Sequence, residues 1–146
     1  MQIYCVEVLH GSKEYQETIG LRDQLLRKPL GLSFREEDLA TETDSFHLAA
    51  YNEQKELLAC LVLKPLGGKA IKMRQVATSP KFQGNGIGKK LVLFAESFAS
   101  EKGFDTMVLH ARKTAVLFYD KLRYQKEGDI FEEVSIPHQK MLKQLE

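Results

Sequence analysis

Seven consecutive apolar residues, Leu57 to Leu63, restrict the folds open to this chain more than any other stretch. A continuous run without alternation is the pattern of a central strand covered on both faces. Helices must supply the cover, and the flanking sequence offers them. Ser12 can cap a helix whose first turn carries Glu14 and Glu17, as the macrodipole prefers. Ile19, Leu21, Leu25 and Leu26 give it an apolar side, and Pro29 and Gly31 stop it. Gly86 to Lys102 reads as a long helix, with Ile87, Leu91, Ala95 and Phe98 along one face and Gly103 at its end.

Further strands are expected at Gln2 to Val8, Phe46 to Tyr51, Ala70 to Thr78, Thr106 to Ala111, from Tyr124 onward and at Ile136 to Leu142. Asn52 to Glu56 is a polar turn, Lys64 to Lys69 a hairpin loop, and Thr114 can cap a short helix, Ala115 to Leu122. In Ala70 to Thr78, Ile71 and Met73 share a face, but the next strong apolar residue is Val76. That slip predicts a β-bulge near Arg74 to Val76, although one polar inward residue would leave the same pattern. The order β-α-β-β-β-α-β-α-β-β describes an α/β chain of the α+β kind, a mixed sheet flanked by helices. With 146 residues, 43% of them hydrophobic, and no Pro/Gly/Ser-rich linker, residues 1–146 are expected to form a single domain.

Several function classes fall away. A formal net charge of +1 argues against nucleic acid as the main partner. Met1 to His10 carries Glu7 and lacks the basic start and long apolar run of a signal peptide, and Leu57 to Leu63 is far too short to span a bilayer. The expectation is a cytoplasmic protein with no membrane partner. Cys5 and Cys60 show neither metal spacing nor a disulfide framework, so no metal is expected and both read as reduced thiols.

The loop Gln83-Gly84-Asn85-Gly86-Ile87-Gly88 joins a strand to a helix and carries three glycines in five residues. Glycines let backbone N–H groups turn toward a ligand, and the helix points its positive end at the same place; together they suit a phosphate. Lys89 and Lys90, in the first turn, oppose the helix dipole, a conflict that a bound pyrophosphate would relieve. The P-loop pattern fails, because Gly88-Lys89 is followed by Lys90 and Gln83 stands where its first glycine belongs. The dinucleotide pattern fails because Lys89 takes the place of its third glycine. A plain strand-to-helix turn needs only one glycine.

With Val76-Ala77-Thr78-Ser79-Pro80 before it, this loop resembles the acetyl-CoA loop of the GNAT acetyltransferase superfamily, Gln/Arg-x-x-Gly-x-Gly/Ala after a strand reading Val-Ala-Val-x-Pro. Downstream, Ala115 to Tyr124 resembles the family's Ala-x-x-Phe-Tyr-x-x-x-Gly-Phe, and Ile136-Pro137-His138 with Met141 is similar to the C-terminal strand of small bacterial members. The resemblance implies the GNAT fold and acetyl transfer from acetyl-CoA to an amine. It implies cofactor contacts from Val76, Ala77, Thr78, Gln83, Gly84, Asn85, Gly86, Ile87, Gly88, Lys89, Ala115, Phe118 and Tyr119. Arg112 stands where the family often has a pantetheine-contacting Asn, and Arg123 where it usually has Gly.

Such a reaction needs a neutral amine, and neutralising a lysine-like amine of pKa about 10.4 near pH 7 costs roughly 4–5 kcal/mol. A base or a desolvating pocket must help. A backbone N–H on the bulged strand, around Val76 to Thr78, is the natural oxyanion donor. Tyr119 is the candidate proton donor to the departing thiolate. His47, His110 and His138 are candidates for the base or the acceptor pocket, with Glu132 and Glu133 as rivals. Arg74 could receive a substrate carboxylate or pair with an acid from a neighbouring strand. Glu36, Glu37, Asp38, Glu42 and Asp44 read as a solvated acidic loop that could attract a cationic amine. The acceptor is a small-molecule or peptide amine that the sequence does not identify, and a homodimer stays open. A module that binds acyl-CoA without transferring its acyl group is the alternative.

Overall fold

A computed structural model describes residues 1–32 and 41–146. Its strands are β1 (Tyr4–Val8), β2 (Phe46–Tyr51), β3 (Leu57–Pro65), β4 (Ala70–Thr78), β5 (Thr106–Arg112), β6 (Gln125–Lys126), β7 (Phe131–Glu133) and β8 (Ile136–Gln144). They form one sheet in the order β1-β2-β3-β4-β5-β8-β6, with β7 also paired to β8. The helices are α1 (Lys13–Arg22), α2 (Ile87–Glu101) and α3 (Val116–Lys121).

The apolar run lies in β3, where Leu58 to Leu63 are almost wholly buried. One core lies on the α2 side, where Ile87, Leu91, Val92, Ala95 and Ala99 pack among Leu48, Leu58, Leu61 and Leu63. A smaller one on the α1 side joins Val8, Tyr15, Ala49, Cys60 and Ala77. The expectation for α1 is only half met: Ile19, Leu21, Leu25 and Leu26 are partly buried there, but its fully buried positions are Tyr15, Thr18 and Arg22. Glu42 is likewise buried at 5% exposure, not part of a solvated acidic loop. Glu36, Glu37 and Asp38 lie outside the described residues.

Arg22 and Glu42 bury each other. Arg22 Nη1 reaches Glu42 Oε2 and Nη2 reaches Oε1, each at 3.0 Å, a two-pronged pair. The Tyr15 hydroxyl donates to the same carboxylate at 2.7 Å. Burial raises the Glu42 carboxyl, but the Arg22 hydrogen bonds and charge prevail and hold it below its ordinary range.

Two departures concern the chain after β5. Thr114 does not cap a helix: it lies in a 3-10 turn, Lys113–Ala115, and α3 begins at Val116 behind Ala115 with no side-chain cap. From Tyr124 onward the chain is extended as expected, but it forms two short strands, β6 and β7, before β8 where one was expected. The turn after α3 keeps its glycine geometry without glycine. Arg123 adopts φ 74°, its N–H bonds Asp120 O at 3.0 Å, and that of Tyr124 bonds Tyr119 O at 3.1 Å, a Schellman ending.

Candidate functional site

β4 and β5 run parallel, and their ladder stops at Met73↔Leu109. Beyond that rung β4 stays paired to β3 as far as Thr78, while β5 stays paired to β8 as far as Arg112↔His138. The sheet therefore splits between Arg74–Thr78 and His110–Arg112. The free edge of β4 is bent by the expected bulge: Cys60 pairs with Ala77 and Val62 with Arg74, so Leu61 faces both Gln75 and Val76. Gln75 has φ 53°, and its Oε1 accepts from Arg22 Nη1 at 2.7 Å. The buried Arg22–Glu42 pair thus clamps the bulge.

The glycine loop lies beyond the strand end. Gly84 and Gly86 have φ 85° and 72°, a backbone that glycine adopts without strain. No side chain caps α2 and no acid sits in its first turn, so its leading N–H groups point outward without an intrahelical partner. Asn85 Nδ2 donates to Phe82 O at 2.9 Å and Gln83 Nε2 to Thr78 O at 3.5 Å, tying the loop to β4. Lys89 is exposed beside it, and Ile87 is buried beneath it. A Cβ on Gly88 would meet Thr78 Oγ1 at 3.5 Å and Phe118 Cζ at 3.6 Å, so there is room for Gly or Ala and little more. That packing joins the loop, the end of β4 and α3, three segments that the sequence motifs single out.

The split opens into a cavity of about 420 Å³, lined among others by Arg74, Val76, His110, Arg112, Ala115, Tyr119 and His138. Tyr119 is 7% exposed, with its ring against Phe118 and Tyr124. Burial pushes its phenol well above the ordinary value, so it is protonated at neutral pH. Ala77 is buried behind the bulge. Arg112 Nη2 reaches Leu26 O at 3.5 Å.

At the β8 side of the same cavity, β7 brings Glu133 between two histidines. His110 Nδ1 lies 3.0 Å from Glu133 Oε1, and His138 Nε2 lies 3.7 Å from Oε2. His138 Nδ1 donates to Ile136 O at 2.7 Å. Burial raises the Glu133 carboxyl, but the His110 hydrogen bond and the positive groups around it outweigh this and hold it below the usual range.

The structure does not bring His47 to this place. It is 2% exposed, its ring packs on His10 and Tyr15, and its Nε2 lies 3.1 Å from Glu42 O. Burial pushes its imidazole down and keeps it neutral. Conversely, Leu26, Arg27, Lys72, Gln75 and Val134 line the cavity, and none of them reads as a candidate site residue in the sequence. For Lys72 the signal was there: it alternates with Arg74 on the strand face opposite Ile71 and Met73.

The model of the acetyltransferase (GNAT) family matches residues 13–124. The chain is 28% identical to the uncharacterized protein YyaT of Bacillus subtilis, over 77% of this chain and 82% of that protein. Its structure is similar to that of an acyl-CoA N-acyltransferase from Pseudomonas aeruginosa, with a TM-score of 0.81 at 21% identity, covering 97% of this chain and 99% of that one. It is also similar to a GNAT family acetyltransferase from Elizabethkingia anophelis with acetyl-CoA bound, with a TM-score of 0.74 at 18% identity over 98% of each chain.

Proposed function

The chain belongs to the acetyltransferase (GNAT) family, and from that premise we propose that it transfers the acetyl group of acetyl-CoA to a primary amine by direct attack in a ternary complex. Acyl transfer from an acyl-CoA comes with the family; the acetyl group, the amine and the direct attack are the proposal. One observation carries it: the edge of β4 as far as Val76, Tyr119 and the His110–Glu133 pair line one opening in the sheet, and the glycine loop packs through Gly88 on Phe118, the neighbour of Tyr119.

The residues fit coenzyme A. The outward N–H groups of the Gly84–Lys89 turn suit its pyrophosphate. Thr78, Ala115 and Phe118 wall the way inward, with Arg112 at the end of β5. The thioester supplies an activated acyl carbon and a thiolate leaving group. Past Met73, β4 has no partner on the β5 side among the described residues, so N–H groups of Val76 to Thr78 on that edge can donate to negative charge at the acyl oxygen. His110, with Nδ1 donating to Glu133, presents Nε2 to take the proton of the attacking nitrogen. Tyr119 returns a proton to the sulfur, so the new C–N bond replaces the C–S bond with no net proton gained.

Calorimetry with acetyl-CoA, CoA and ATP, followed by thiol release over an amine panel, tests the reading. Acetyl-CoA binding with thiol release is expected. Binding of ATP in place of acetyl-CoA overturns it, and acetyl-CoA binding with no release from any amine leaves a non-catalytic acyl-CoA-binding module.

A further inference from the structure

The split that opens the cavity also sorts its charges. Arg74 and His110 are the first positions past the last β4–β5 rung, and strand alternation puts both on the face that carries Lys72 and Arg112. Register with β8 adds His138, opposite Arg112. One side of the opening is therefore cationic, although the whole chain has a net charge of only +1.

Arg74 is half-buried at the cavity wall and makes no hydrogen bond or ion pair among the described residues. Among the described residues Arg112 has only the long contact to the Leu26 carbonyl. Glu133 is the one acid among the described residues lining the cavity, and His110 already engages it. Lys72 registers the imbalance: burial lowers its ammonium, Arg74, Lys64 and Lys140 press in the same direction, and Glu133 opposes them. Partly desolvated cations of this kind favour an anion, and a guanidinium fork matches a carboxylate or a phosphate.

We propose that the acceptor is a small amine bearing an anionic group, bound by Arg74 with Lys72 while its nitrogen lies at His110. This rests on the acyl-transfer reading above and names its substrate class. A dication such as a polyamine would bring a second positive charge to the same wall and is disfavoured.

Matched amines test it, with acetyl-CoA and thiol release as the readout. One arm pairs amino acids with their amides. The other pairs aminoalkyl phosphates with the corresponding amino alcohols, and separates a phosphate site from a carboxylate site. A charge-assisted bond made on binding is worth roughly ten- to a hundredfold. In at least one arm the anionic member should lead by that factor in kcat/KM. Arg74→Gln should collapse the ratio toward one, and Arg74→Lys should restore part of it. The wild-type comparison stands whether or not either variant folds. Neutral amines or polyamines turning over as well as anionic ones would overturn the anion site and leave acyl transfer standing. Release from no amine at all would overturn acyl transfer and the anion site with it.

Discussion

Replacing Glu42 by Gln keeps the shape of the side chain and removes its charge, and the surroundings set the cost. Arg22 is 0% exposed and holds Glu42 through two contacts of 3.0 Å. In Glu42→Gln the guanidinium stays buried and faces a neutral amide that can accept at only one atom. Breaking a buried pair in this way costs about 3–5 kcal/mol, because one charge is left uncompensated. With a urea slope of about 2 kcal/mol per molar for a chain of this size, the unfolding midpoint should fall by roughly 2 M. No tryptophan is present, so far-UV circular dichroism or tyrosine emission must follow the transition. The pH dependence is a second check. Glu42 is held below its ordinary 4.5, so its contribution is fully present above that value and is lost as the pH falls through the lower folded value. The gap between wild type and Glu42→Gln should be widest near neutrality and narrow below pH 4.5. A loss under about 1 kcal/mol at pH 7, or a gap that holds constant into acid, would refute the reasoning.

Two further outcomes follow from single residues. Tyr119→Phe removes the phenol that burial keeps protonated and leaves the packing against Phe118 and Tyr124; kcat should drop by roughly a hundredfold with acetyl-CoA affinity held within about threefold, and unchanged turnover would remove Tyr119 from the chemistry. Arg123→Gly relieves a side chain at φ 74°, which after allowance for the looser unfolded chain should stabilise by about 1 kcal/mol and raise Tm by roughly 3 °C; a fall in Tm would mean that the arginine makes contacts worth more than its strain.

The two sides of the site were unequally legible. The side assigned to the cofactor is written in consecutive residues, since one loop, one strand end and one short helix make it, and glycine spacing reads directly as backbone geometry. Even the bulge showed, because a strand of period two that jumps from Met73 to Val76 must take up an extra residue. The acceptor side is assembled from distance. Glu133 reaches His110 across 23 residues because β7 and β8 close a two-residue hairpin through Val134 and Ser135. Their φ values of 46° and 63° are those of a type I′ turn, which usually announces itself as Asn-Gly. A Val-Ser pair gives no such signal, so the turn and β7 were hidden, and Glu133 could be named only as a rival base without its histidine partner. Arg22 was hidden in the same way: a charge in a helix reads as a wet face unless its partner is known, and Glu42 lies 20 residues on.

This division has a mechanistic consequence. The Gly84–Lys89 turn, proposed to hold the cofactor, has a geometry that depends on backbone angles few substitutions allow. The proposed acceptor wall depends on side chains at the mouth of the split, Lys72, Arg74, His110 and Glu133, and among the described residues lining that cavity none belongs to the loop. Changing them should alter which amine is accepted while acetyl-CoA affinity holds, which calorimetry with the Arg74→Gln variant checks. Chains that share the loop can thus differ in acceptor, and under the anion-site proposal the charge of Arg74, not the glycine motif, selects the acceptor of this chain.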